Sequence, residues 1–257
     1  MHPAFSVIFL TTLIGAGQGL FLALYTVQVY SVFELLPDQD PVKFYALGGL
    51  IALLLLAVGL FSSFFHLGRP ERAWRSAAMW RTSWLSREII VLPAFMGSAA
   101  AWVLAHFFGW NPLLFTFRET FEIDLSMVIG AAGTLLAFAL YVCTGMIYAC
   151  IKQLQEWATP LTVINYTFFG LASGFLLATA FASLHGSGLV DFLGGWAIFA
   201  TVVVFFTRSA SLIRNARLKH KSTLETALGV RHNRLEQKSQ GFMGGSFNTR
   251  EFFHGAS

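Results

Sequence analysis

Hydrophobic and polar positions fall along this chain in long blocks rather than in a fine repeat. Six blocks of mainly apolar residues, 5–32, 44–65, 89–107, 125–151, 161–184 and 192–207, are separated by shorter polar stretches. Most hold about 20 residues, the length a helix needs to cross a hydrocarbon layer roughly 30 Å thick. The first block is too long for a signal-peptide core and has neither a basic leader nor a small-residue cleavage site, so it reads as a permanent span. The sixth is the shortest, and Gly194 and Gly195 near its start blur its outer boundary. The pattern predicts an all-α, polytopic transmembrane helix bundle over residues 1–207, followed by a basic tail over 208–257.

Composition supports this and narrows the chemistry. The chain is 56% hydrophobic and 12% charged, against about a quarter charged in soluble domains, which argues against a soluble enzyme. Its 2 cysteines exclude a disulfide framework, a Cys-ligated zinc site and a self-contained iron–sulfur cluster, which takes about four thiolates. Cys143 and Cys150 lie on one predicted helix about 10 Å apart by rise, too far to bridge, and read as small packing residues. A pI of 9.3 in a chain of this class points to a membrane surface or a protein partner, not to nucleic acid.

Charge placement gives a direction. With the N-terminus inside the cell, the connections 66–88 and 152–160 and the tail hold 15 of the 17 Lys and Arg residues; Lys43 and Arg118 fall outside. Inner loops carry the basic excess, so both termini are expected in the cytoplasm. Gly15 with Gly19, and Gly170 with Gly174, form small-xxx-small pairs of the kind that let helix backbones approach in lipid. The GAGQG string at 15–19 sits inside a span and follows no strand, so it is no dinucleotide fingerprint. In the tail, 208–238 could form amphipathic surface helices, whereas GFMGGSFNTREFFHGAS at 241–257 suggests extended chain laid against lipid headgroups or a protein partner.

The connection between the second and third spans, FFHLGRPERAWRSAAMWRTSWLSREI at 64–89, concentrates the chemistry. His66 closes one span and Glu88 opens the next, placing two ionisable groups at one depth, a placement that marks proton or ligand paths. Arg75, Arg81 and Arg87 need no explanation beyond the inside rule, and Trp80 and Trp84 can belong to an interfacial aromatic belt. A quinone head group needs a hydrogen-bond partner at each carbonyl, and its redox cycle moves two protons. A His can exchange one, a Glu can relay the other, an aromatic wall such as Trp74 suits the flat ring, and Arg72 can steady a developing anion.

The same residues resemble a known family. HLGRPERAW at 66–74 followed by LSREI at 85–89 closely resembles the HLG-x-P-x-R-A-[FW] … LS-x-E-I pattern of DmsC-type anchor subunits, the membrane components of three-subunit molybdenum oxidoreductases of the dimethyl sulfoxide reductase family. The start, HPAFSVIFLTTLIGAGQG, and the tail, QGFMGGSFNTREFFHG, are similar to the SoeC-type branch, which includes the membrane subunit of cytoplasmic sulfite dehydrogenase. The resemblance covers most of the chain. It implies a quinone pocket (ubiquinone or menaquinone) at His66, Gly68, Arg72, Trp74 and Glu88, no metal or covalently bound cofactor in this chain, a four-cluster iron–sulfur partner docked on this face, and a molybdopterin catalytic subunit beyond it. It places the chain in a bacterial cytoplasmic membrane. The family commonly has eight spans against six here, so either two C-terminal spans lie outside this chain or the tail holds an arrangement the pattern does not reveal. The dimethyl sulfoxide reductase itself carries its heads outside the cytoplasm; five Arg in the loop put them inside here, which favours sulfite oxidation feeding the quinone pool over a quinol-oxidising reductase. A single outer haem b between His106 and His185 is geometrically possible, but both lie at span ends, so haem is not expected. Transport would predict mid-span charge; Gln18, Gln28 and Asn165 are the main polar residues there, and helix–helix hydrogen bonding accounts for them. A purely structural anchor with no quinone site is the remaining alternative.

Overall fold

A computed structural model describes residues 5–67, 70–117, 121–152, 154–185, 188–218 and 229. Six helices long and apolar enough to cross a membrane occur among the described residues. They are α1 (Phe5–Val32), α2 (Leu47–Ser63, which spans together with the preceding helical turn as Pro41–Ser63), α3 (Trp84–Phe108), α4 (Leu125–Ala149), α5 (Pro160–His185) and α6 (Val190–Ala216). A wide helical turn, Pro41–Ala46, leads into α2, its first N–H groups capped by the Asp40 carboxylate. A short antiparallel hairpin, β1 (Leu113–Phe117) with β2 (Phe121–Asp124), joins α3 to α4. It adds a small β element to the expected all-α bundle, at the end remote from the 64–83 loop.

Helix α1 forms the centre and α6 the edge: 61% of the apolar window of α1 is buried against 22% for α6. The predicted glycine pairs explain how α1 is accommodated. Gly19 on α1 lies directly against Gly170 and Gly174 on α5, and a Cβ at Gly19 or Gly174 would run into the other helix's backbone. Close backbone approach supplies the dispersion contact that holds helices together in lipid. Around this seam a layer of large side chains fills the interior; Phe21 meets Phe95 and Trp102 edge-on, each at 5.4 Å between ring centres. Leu54, Val58, Leu135, Phe205 and Phe206 are exposed on the outside of the bundle, where lipid would cover them.

The three polar mid-span residues bond between helices as expected. Gln18 Nε2 donates to the Ala137 carbonyl at 2.9 Å, Gln28 Nε2 donates to Ser126 Oγ, and Asn165 Nδ2 donates to Ser211 Oγ at 2.8 Å. Three expectations need correction. The third span begins at Trp84 rather than 89, because Ser83 Oγ accepts the Ser86 N–H and starts the helix a turn earlier. The sixth span is not the shortest: α6 has 27 residues, passes through Gly194 and Gly195 without a break and continues to Ala216. Arg208 and Arg214 look like loop residues in sequence, yet a long Arg side chain can leave its stem on the helix and carry its charge to the interface. Arg214 does so by donating to the Gln155 carbonyl at 3.0 Å. Finally, Cys143 is buried but Cys150, at the end of α4, is exposed; both are free thiols. From residue 219 the tail lies outside the described residues apart from residue 229, and so do the helical and extended segments expected there.

Candidate functional site

The loop between α2 and α3 is more ordered than a connection needs to be. After α2 the chain makes a 3₁₀ turn, Phe64–His66, extends at Leu67, and forms a 3₁₀ helix, Pro70–Met79, which packs against α3. The carbonyls at the end of such a helix have no partners of their own. Here the Met79 carbonyl accepts the N–H groups of Thr82 and Ser83. Arg87, one turn into α3, reaches back to the next two: Nε donates to the Trp80 carbonyl at 2.9 Å and Nη2 to the Arg81 carbonyl at 2.8 Å, while the guanidinium lies 4.2 Å from the centre of the Trp84 ring. One side chain thus fixes the loop to the helix that carries Glu88.

Glu88 turns into the bundle. Its Oε1 accepts a hydrogen bond from Thr144 Oγ1 on α4. The Tyr166 side chain of α5 lies beside Thr144. The Tyr166 hydroxyl donates to the Thr11 carbonyl of α1 at 3.1 Å, and beside it Tyr141 donates to the Gly15 carbonyl at 2.9 Å. Glu88 is the fifth residue of α3, so it sits about 6 Å from that helix's end by rise. A carboxyl at this depth is costly unless hydrogen bonded, and Thr144 provides that support. Among the described residues the second carboxyl oxygen carries no hydrogen bond and no cation pairs with Glu88.

The remaining predicted site residues are only partly placed. His66 ends the 3₁₀ turn after α2, while Gly68 lies outside the described residues. Arg72 is exposed, with Glu71 as its ion-pair partner at 3.8 Å. Trp74 is 71% exposed, with the Arg75 guanidinium 5.5 Å from its ring centre. No hydrogen bond or ion pair among the described residues joins Arg72 or Trp74 to Glu88. Nothing in the hydropathy pattern singles out Thr144 or Tyr166.

A second polar group lies at the opposite end of the bundle. Trp102 Nε1 donates to Gln28 Oε1 at 2.8 Å, Gln28 continues to Ser126, and Ser126 Oγ donates to Asp124 Oδ1 at 2.8 Å. His106 is buried inside α3 between Tyr45 and Trp102, at 4.8 and 4.6 Å between ring centres, with neither ring nitrogen hydrogen bonded among the described residues. His185 is exposed and stacks on Phe181 at 4.9 Å. Among the described residues no three His, Cys, Asp or Glu side chains converge on a metal position.

Comparison with known proteins adds two findings. The family described as DMSO reductase anchor subunit (DmsC) matches residues 1–228. The chain is 60% identical to the sulfite dehydrogenase C-subunit of Allochromatium vinosum over 257 residues, which is all of this chain and 79% of the relative. No solved structure matches.

Proposed function

The chain belongs to the DMSO reductase anchor subunit family, and on that premise we propose that it is the membrane-embedded, quinone-reactive subunit of a three-subunit molybdenum oxidoreductase. In this reading a four-cluster iron–sulfur subunit docks on the face that bears the 64–83 loop, and a molybdopterin subunit lies beyond it. Electrons pass from the partner's last cluster to ubiquinone or menaquinone beside the loop. The sulfite dehydrogenase relative supports sulfite as the electron source. The basic loop and tail support a cytoplasmic position for the heads and for both termini, in a bacterial cytoplasmic membrane.

The observation that carries the reading is the placement of Glu88: a carboxyl inside the bundle, one turn from the loop face, held by Thr144 through one oxygen. Reduction of a quinone consumes two electrons and two protons. Glu88 supplies a proton-exchanging group that reaches the carrier from within the membrane. His66, at the end of the turn after α2, exchanges a proton with the aqueous side. Arg72 and Trp74, exposed on the loop, complete the site toward the docked partner, and Gly68 belongs to the same motif. The donor and acceptor chemistry of this set fits a dicarbonyl ring, and Arg87 keeps the loop in register with Glu88.

The test uses the assembled complex. Glu88→Gln and His66→Ala should each lower sulfite-driven quinone reduction roughly a hundredfold, while reduction of a soluble dye at the catalytic head and co-purification of all subunits stay unchanged. Unaltered quinone reduction in both variants would leave the chain a structural anchor.

A further inference from the structure

Glu88, Thr144, Tyr166 and the Thr11 carbonyl lie on four helices at one level, joined as two hydrogen-bonded pairs, Thr144 to Glu88 and Tyr166 to Thr11. Glu88 lies four residues from the start of α3, Thr144 five from the end of α4, Tyr166 six from the start of α5 and Thr11 six from the start of α1. Each is therefore about 6–9 Å from its helix's loop-face end. We propose that Thr144 and Tyr166 are positioning residues for Glu88: Thr144 holds the carboxylate, and on protonation its hydroxyl turns to Tyr166, which the Thr11 carbonyl anchors, so that the line closes and the carboxyl stays inside the bundle in either protonation state.

The proton count supports this. With Glu88 ionised, Thr144 gives its one proton to Oε1 and Tyr166 gives its own to the Thr11 carbonyl. With Glu88 protonated, its O–H donates to Thr144 Oγ1, the threonine hydroxyl rotates toward the Tyr166 oxygen, and Tyr166 keeps the Thr11 carbonyl. A hydroxyl is one donor and two acceptors and can reverse in this way. Every donor has an acceptor in both states, and no buried polar atom on the line loses its partner, which would be costly. The line works without a counter-charge. Arg87 is engaged by two loop carbonyls and the Trp84 ring, and the titratable groups near Glu88 on the adjoining helices are Cys143 and Tyr148 of α4 and Tyr166 of α5. Residues 47–63 of α2 include no titratable side chain, and Glu71, Arg72 and Arg75 are exposed on the loop.

The inference rests on the quinone reading only for its effect on turnover, so the experiment has two readouts. Infrared spectra of the full chain in lipid nanodiscs, with the Glu88 bands assigned by their loss in Glu88→Gln, read the carboxyl directly. Thr144→Val should move both the carboxylate and the protonated carboxyl stretch. Tyr166→Phe should move only the latter, and Thr144→Ser should restore both. In the assembled complex Thr144→Val should slow quinone turnover roughly tenfold, with Thr144→Ser near wild type. Bands that stay in place in Thr144→Val and Tyr166→Phe would overturn the proposal whatever the turnover. Bands that move while turnover holds would support the line and instead remove Glu88 from the quinone chemistry. Should Thr144→Val fail to accumulate, Tyr166→Phe deletes a single hydroxyl and decides the matter on the protonated band alone.

Discussion

Arg87 illustrates how one residue can satisfy a global rule and a local need together. In sequence it is one more inside cation; in the structure it donates to two carbonyls at the end of a 3₁₀ helix and covers Trp84. Lysine keeps the charge but not the planar fork that reaches two acceptors and lies on a ring. Arg87→Lys should loosen the loop by about 1–3 kcal/mol, seen as faster amide exchange across residues 79–83 with α3 itself unchanged. The sequence marks Glu88 and His66 as candidates because ionisable residues bounding two neighbouring spans at one depth point to proton or ligand paths. It does not mark Thr144. A threonine in an apolar run ordinarily bonds back to its own helix, as Thr26, Thr167, Thr179 and Thr201 do through the carbonyl four residues earlier. That Thr144 instead reaches a carboxylate 56 positions away depends on which helices are neighbours, and hydropathy carries no record of that.

At the scale of elements, the α1–α5 seam is the contact with least tolerance. Gly174→Leu would place a branched side chain against the backbone of Gly19 and Leu20. Overpacking costs about 1–3 kcal/mol where side chains can shift, and here the obstacle is backbone. The variant should lose at least about 3 kcal/mol of stability, read as a lower thermal midpoint in mild detergent. Leu177→Ala, on the same helix but exposed, should leave the midpoint in place. The glycine spacings made each half of this seam readable, and their facing each other followed only from the fold. Helix existence was readable throughout; helix ends were not wherever polarity and helicity part company, as at Ser83, whose cap extends α3 backward, and at Arg208 and Arg214, which α6 carries past its apolar stretch.

For the whole molecule, orientation is the property on which the proposed direction of electron flow depends, and the two cysteines offer a natural reporter. Cys150 is exposed at the end of α4 on the face of the 64–83 loop, whereas Cys143 is buried. A membrane-impermeant maleimide should label Cys150 of the isolated chain in inside-out vesicles and spare it in intact spheroplasts; the reverse result would turn the loop outward. The glycine seam bears also on how the protein is made. Gly174 leaves the ribosome 155 residues after Gly19, roughly eight to thirty seconds later at ordinary rates of synthesis. Through that interval the first segment has been handed to the bilayer with the groove meant for the fifth still empty. A nascent chain stalled after the fourth segment would therefore display that groove to membrane proteases, and the cell's insertion and quality-control machinery must bridge the delay.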